Sequence, residues 1–173
     1  KSLFWLQASF FGANLLIGIT SVLFSPMILA RTGNNEAILG IVSAFMGVGG
    51  VVGGILISTF GGFKTRLVRG VLWGFTLEGL FGSLIMGLGQ SPPIWILGAF
   101  FTSFFIPFIN ASNQAIWQSK IAPDIQGKVF AARRFIASIS MPLAMIIGGL
   151  LADTIFEPAM QADGGVLAPI FGG

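Results

Sequence analysis

The sequence predicts an all-helical integral membrane protein with five transmembrane helices, and two observations carry that prediction. Of the 173 residues, 54% are hydrophobic and only 9% are charged, and the mean hydropathy is +0.91; a soluble domain carries about 25% charged residues. The chain also contains five apolar stretches, each near the roughly 20 residues that a helix needs to cross a bilayer. A soluble enzyme, a secreted domain and a disordered tail are therefore excluded. The five predicted spans cover residues 3–30, 37–60, 68–89, 94–117 and 129–152.

Short segments separate these spans, and each reads as a turn. Residues 31–36 are polar, residues 61–66 are glycine-containing and basic, and residues 89–93 carry no charge. The longest separator contains Pro123 and Gly127, which we expect to break the chain between the fourth and fifth spans. The first span is too long for a signal peptide and is followed by four more spans.

The positive charges predict the orientation of the spans, because cytoplasmic loops carry an excess of Lys and Arg. With the N-terminus in the cytoplasm, Arg31 is the one basic residue on the outside. We therefore expect a multi-pass protein of the cell membrane, with a transmembrane region over residues 1–157 and an extracytoplasmic loop over residues 158–173. The odd number of spans, and a first residue, Lys1, that opens directly into a span, predict a piece of a longer chain; a genuine five-span protein is the alternative.

Glycines in the second span predict a close helix–helix contact. Gly49 and Gly53 are four residues apart, as are Gly50 and Gly54, and a helix face without Cβ atoms lets another backbone approach. Static packing and a sliding contact use the same residues, so the sequence leaves both open.

Polar side chains recur on one face of several spans. In lipid, such a face points to a bundle interior or to a wet cavity, and here it can line a pathway for a bulky, mostly apolar solute. The alternative is that each amide bonds a neighbouring helix. The candidate cavity residues are Gln7, Asn14 and Ser21 in the first span, Asn110 and Gln114 on the stripe that also contains Ser103, Pro107 and Trp117 in the fourth, and Met141 in the fifth.

Glu78 is the one acidic residue within the predicted spans, and it lies near the middle of the third. A charge at that depth is costly and commonly functional, which makes Glu78 a candidate for proton coupling. Two alternatives remain: a neutral side chain hydrogen-bonded in packing, and an ion pair with a basic residue elsewhere.

Several kinds of chemistry find no support in the sequence. The chain has no His and no Cys, which excludes thiolate zinc sites and a His-based triad, and it has no phosphate-binding GxxxxGK[ST] loop. We expect no enzyme, no metal, no cofactor and no nucleic-acid partner. A channel would show a repeated filter or a ring of charge, and neither is visible.

Two basic segments resemble those of major facilitator superfamily transporters. Gly61, Lys64 and Arg66 match the glycine and basic positions of that family's signature loop, whereas Ser58 and Thr59 replace its Asp-Arg pair. The second segment runs from Gln118 through Pro123 to Gly127, Lys128 and Arg133. It resembles the loop between helices ten and eleven in the branch that contains macrolide efflux pumps and the enterobactin exporter.

The resemblance implies that the five spans are helices seven to eleven of a twelve-helix fold, whose N-terminal six-helix half and last helix are missing. It implies an exporter of a lipophilic or amphipathic small molecule, coupled to protons, with a cavity that opens alternately to each side. Helices seven, eight, ten and eleven would face that cavity, which favours Asn14 and Asn110 as substrate contacts. Glu78 would lie on helix nine, which counts against it as a cavity residue. The alternative function is a membrane-embedded accessory or channel-like protein without transport of its own. The candidates for inner-loop gating and topology in the two segments are Gly61, Lys64, Arg66, Pro123, Gly127, Lys128 and Arg133.

Overall fold

The computed structural model describes residues 2–63, 66–160 and 166. Within that part of the chain, five helices are long and apolar enough to cross a membrane, which confirms the all-helical prediction and its five spans. We number them in chain order: α1 is Ser2–Arg31, α2 is Glu36–Phe60, α3 is Leu67–Leu88, α4 is Pro92–Lys120 and α5 is Pro123–Met160.

Three of these helices change their winding part-way. In α3 the segment Glu78–Ser83 is π-helical, and in α5 the segment Ala152–Phe156 is π-helical. α4 is interrupted at Phe105, between Pro92–Phe104 and Ile106–Lys120. Backbone hydrogen bonds span each irregularity, as a membrane-spanning chain requires: the N–H groups of Leu84, Phe105 and Glu157 donate to the carbonyls of Gly79, Ser103 and Ala152, respectively.

The ends of α2 are set by local chemistry. Asn35 is the N-cap, and its Oδ1 accepts hydrogen bonds from the backbone N–H of Ala37 at 3.1 Å and of Ile38 at 3.3 Å, which satisfies two of the first free donors. Gly61 ends the helix with φ of 70°, in the left-handed region that glycine enters without strain. The polar turn and the glycine-containing turn predicted on either side of this span thus act as its two caps.

The prediction that Gly127 breaks the chain before the fifth span is wrong. α5 begins at Pro123 and continues through Gly127 and Lys128 without interruption. Proline is well suited to a first helical turn, because the N–H it lacks would have no partner there, and a single glycine lowers helix stability without ending the helix. At its other end α5 continues to Met160, past the boundary expected at residue 157. Residues 161–165 and 167–173 of the expected extracytoplasmic loop lie outside the described residues.

The chain forms two compact units. In the first unit, which joins α1 to α5, small residues bring the two helices together. A Cβ on Gly18 would collide with Cβ of Ala144, and a Cβ on Gly148 would lie 3.3 Å from Cα of Ile19. The helices therefore approach closely where neither carries a large side chain, as expected for association in lipid.

The second unit contains α2, α3 and α4. At the predicted outer end of this unit, the carbonyl oxygen of Gly89, directly after α3, accepts two hydrogen bonds. Nη1 of Arg31 donates one at 3.0 Å, and Nε1 of Trp95 donates the other at 2.8 Å. Trp95 is fully buried, so its indole N–H needs this partner. The cation also lies at a helix C-terminus, where the helix dipole favours it.

α2 and α4 meet backbone to backbone. A Cβ on Gly49 would collide with the carbonyl oxygen of Phe100, and a Cβ on Gly53 with that of Phe104. The two other glycines of the same run are different: a Cβ on Gly50 would lie 3.8 Å from Cβ of Ser103, and a Cβ on Gly54 would meet no atom within 4 Å. The α2–α4 contact, by which we mean Gly49 and Gly53 against Phe100 and Phe104, therefore uses only one of the two pairs that the sequence offers.

We expect Gly49→Ala and Gly53→Ala to destabilise the protein, each by about 1–3 kcal/mol, because the added methyl meets backbone that cannot move aside. Gly54→Ala is the matched control on the same helix. It should leave stability unchanged or raise it slightly, since alanine is the better helix former. Thermal unfolding of the purified full-length protein in detergent measures the difference. Equal melting temperatures for all three variants would contradict the contact.

Candidate functional site

A groove of about 430 Å³ opens between α2 and α4, beside the α2–α4 contact. Most of its lining is apolar and two of its side chains are hydroxyls, which is the usual make-up of a small-molecule site. We call it the serine groove. Its lining residues are Ser43, Met46, Gly47 and Gly50 of α2 and Ser103, Ile106 and Pro107 of α4.

The interruption of α4 shapes one wall of this groove. Pro107 has no N–H, so it cannot donate to the carbonyl of Ser103 four residues earlier. The Phe105 N–H donates to that carbonyl instead, and the helix restarts with Ile109 N–H donating to the Phe105 carbonyl at 3.1 Å. As a result, Ser103 and Pro107 both border the groove at the break.

The two serines of the groove have hydroxyls available to a ligand. Other helix hydroxyls, such as those of Ser9, Thr20 and Thr102, donate back to a carbonyl four residues earlier. Among the described residues, neither the Ser43 hydroxyl nor the Ser103 hydroxyl has a hydrogen-bond partner. Each hydroxyl can both donate and accept.

The remaining surface of the groove is open and adaptable. A Cβ on Gly47 would meet no atom within 4 Å, and one on Gly50 would meet only Cβ of Ser103, at 3.8 Å. Met46 and Ile106 supply the apolar sides, and the flexible, polarisable methionine can fit ligands of different shape. The groove suits an apolar body that carries a few hydrogen-bonding groups.

Only part of the predicted polar stripe on α4 reaches this groove. Ser103 and Pro107 line it. Asn110 and Gln114 lie exposed further along α4, and Trp117 is buried. The α2 side of the groove was not among the sequence candidates. Its signal was present, because Ser43, Met46, Gly47 and Gly50 follow the i, i+3, i+4, i+7 spacing of one helix face.

Some of the sequence candidates in the first unit have a hydrogen-bond partner for their side chain, and others do not. Oε1 of Gln7 accepts a hydrogen bond from Nε of Arg133 at 3.3 Å, and the hydroxyl of Ser21 donates to the carbonyl of Gly18 at 2.7 Å. The half-buried Asn14 has no hydrogen-bond partner among the described residues. Met141 is exposed, with its Sδ beside Gly18. The structure thus joins Gln7 to Arg133, two residues that the sequence assigned to different roles.

The inner-loop candidates occupy helix ends and first turns. Gly61 caps α2, Arg66 directly precedes α3 with φ of 58°, and Lys64 lies outside the described residues. Lys128 is exposed in the early part of α5. The Arg133 guanidinium, further along α5, lies 5.5 Å from the ring centroid of Phe130, which is within range of a cation–π interaction.

Glu78 begins the π-helical segment of α3. Its Oε1 accepts a hydrogen bond from the hydroxyl of Ser83 at 2.7 Å. Residues five apart lie on different faces of an α-helix, and the wider π turn brings these two together. Among the described residues, Glu78 forms no ion pair. In the same segment Gly82 packs against the backbone of Thr102, where a Cβ would lie 2.7 Å from the Thr102 Cα.

The chain is distantly similar to two known proteins. Over 108 residues the chain is 29% identical to macrolide efflux protein A of Streptococcus pyogenes, an alignment that covers 62% of this chain and 26% of that protein. Over 98 residues it is 26% identical to macrolide efflux protein A of Enterococcus faecalis, covering 56% of this chain and 30% of that protein. The chain therefore matches less than a third of the length of these relatives. No family model matches the chain, and no solved structure matches it.

Proposed function

We propose that this chain is part of a major facilitator superfamily exporter, which moves a lipophilic or amphipathic small molecule out of the cell by alternating access and is driven by proton entry. In this proposal α1 to α5 are helices seven to eleven of twelve. The N-terminal six-helix half belongs to another part of the same protein. The N-terminus of the piece lies in the cytoplasm and its C-terminus lies outside.

The serine groove is the observation that carries the proposal. A membrane-spanning helix pair has no structural need for two unbonded hydroxyls, because lipid offers them no partner. Ser43 and Ser103 nevertheless lie in one opening of about 430 Å³, at a break in α4. Interrupted helices that line a cavity are a common way for transporters to build a substrate site.

The relatives suggest the substrate class. They are named for macrolide efflux, and a macrolide combines a large apolar ring with hydroxyl and carbonyl groups. The groove offers matching chemistry, with hydroxyls from Ser43 and Ser103 and an apolar surface from Met46 and Ile106. We infer that the groove is one wall of a larger cavity, whose other wall comes from the rest of the protein.

Each unit also contains one amide that can contact a substrate. The side chains of Asn14, in the first unit, and Asn110, in the second, have no hydrogen-bond partner among the described residues, so each can bind a solute or a polar group of the other half. Gln114, exposed further along α4, is a weaker candidate because it lies near the predicted inner surface. Gln7 and Ser21 have partners within their own unit, and we assign them to packing.

We expect Gly47→Leu to abolish export, because its side chain would fill the open floor of the serine groove. The measurement is accumulation of a labelled macrolide in cells that express the full-length protein, with and without a protonophore. The native protein should lower accumulation, and the protonophore should remove that effect. Cells with the Gly47→Leu variant should accumulate as much macrolide as cells without the protein.

Gly54→Leu is the control for this experiment. It lies on the same helix, has equally open surroundings and does not line the groove, so it should keep export at the native level. Equal loss of export in both variants, at matched membrane expression, would show that the groove has no special role. Native protein that never lowers accumulation of any macrolide, with or without the protonophore, would overturn the export proposal itself.

Glu78 is the candidate for proton coupling, because it is the one acidic residue within the predicted spans, although the resemblance places its helix outside the four that face the cavity. We expect Glu78→Gln to abolish uphill export and to leave downhill substrate movement intact, since glutamine keeps the size and the hydrogen-bonding capacity of the side chain but cannot exchange a proton. Glu36→Gln is the matched control, because Glu36 lies exposed at the start of α2. Transport in liposomes with an imposed pH gradient separates the two modes. Native uphill transport by Glu78→Gln would assign the residue to packing with Ser83.

A further inference from the structure

A second groove, of about 200 Å³, lies between α3 and α4. All of its lining residues are apolar, and most of them are aromatic. We call it the aromatic groove. It is lined by Phe63, which precedes α3, by Gly70, Trp73, Gly74 and Leu77 of α3, and by Phe104, Phe105 and Phe108 of α4.

The α4 wall of this groove is a packed row of rings. The centroids of Phe104 and Phe105 are 5.1 Å apart at 88°, and those of Phe104 and Phe108 are 5.6 Å apart, both within the range of favourable aromatic pairs. The row offers no hydrogen-bonding group to a polar solute. Its natural occupant is a hydrocarbon chain.

Two arginines, Arg66 and Arg69, lie in the chain between Phe63 and Gly70, which both line the aromatic groove. Arg69 is in the first turn of α3, four residues before Trp73 and on the same helix face. Arg66 is the N-cap residue of α3, with φ of 58°, and lies just outside the helix. Both are exposed, and among the described residues neither forms an ion pair. The residues that line the groove are therefore adjacent in the chain to two positive charges that no described residue neutralises.

We propose that the aromatic groove binds one acyl chain of an anionic phospholipid, whose phosphate pairs with Arg66 and Arg69. Basic sites between transmembrane helices at the membrane surface commonly bind anionic headgroups. From Gly70 to Leu77 the helix rises about 10 Å, which accommodates part of one extended chain below the headgroup. The inference concerns a lipid site on α3 and α4 and does not depend on what the protein transports.

Trp73 provides the measurement, because it lines the groove and is 61% exposed. The full-length protein is placed in phosphatidylcholine nanodiscs with phosphatidylglycerol brominated on its acyl chains, or with equally brominated phosphatidylcholine at the same mole fraction. Bromine quenches tryptophan fluorescence. The difference in quenching between the native protein and the Trp73→Phe variant gives the contribution of Trp73. We expect brominated phosphatidylglycerol to occupy the site roughly tenfold more readily than the phosphatidylcholine.

Charge variants decide the origin of this preference. The double variant Arg66→Gln with Arg69→Gln should lose it. The control Lys128→Gln with Arg134→Gln removes the same charge from the predicted cytoplasmic side of α5 and should keep it. Equal quenching of the native protein by both lipids would overturn the proposal, as would a loss of preference in the α5 control. Absence of quenching by either lipid would show that protein, and not lipid, covers the groove.

Discussion

The backbone contact between α2 and α4 is the constraint on which the second unit depends. Gly49 and Gly53 place α2 directly against the carbonyls of Phe100 and Phe104. Apolar side chains gain little from leaving lipid for a helix interface, so the close fit of the two backbones must supply much of the association. This contact also fixes where the neighbouring faces of α2 and α4 lie. The face of α2 with Gly47 and Gly50 borders the serine groove, and the far side of α4, with Phe105 and Phe108, faces α3 across the aromatic groove.

α4 therefore presents different chemistry on each side. Toward α2 it presents a serine and a proline at a break in the helix, and toward α3 it presents a row of aromatic rings. The interruption at Phe105 separates the two halves of α4, and Pro107 accounts for it locally because the ring removes a donor. An opening with two hydroxyls and a surface of aromatic rings thus lie a few residues apart on one helix.

Composition and the five long apolar stretches were enough to predict the five helices, because a chain that crosses a bilayer must satisfy its own backbone hydrogen bonds. The choice between the glycine pairs was beyond the sequence: Gly49/Gly53 and Gly50/Gly54 have the same spacing, and only the position of α4 distinguishes them. Ser43 was missed because a lone serine in an apolar run resembles many that bond back to their own helix. The π turn at Glu78 has no signature in the residues themselves. Within it, Gly82 packs against Thr102, a tertiary contact that cannot be predicted from the local sequence. Gly127 was taken for a break because glycine and proline often mark loops, whereas here Pro123 begins the helix.

In the proposed transport mechanism, the serine groove lies on a water-filled pathway that the substrate enters. The chain has no cysteine, so single cysteines at Ser43 and Ser103 of the full-length protein can report on that pathway. Our account predicts that both react with a charged methanethiosulfonate reagent and that a macrolide slows the reaction. Val48→Cys, at similar depth on another face of α2 and 48% exposed, should remain unreactive in lipid. Unreactive cysteines at both groove positions, or reaction rates that the macrolide does not change, would contradict the account.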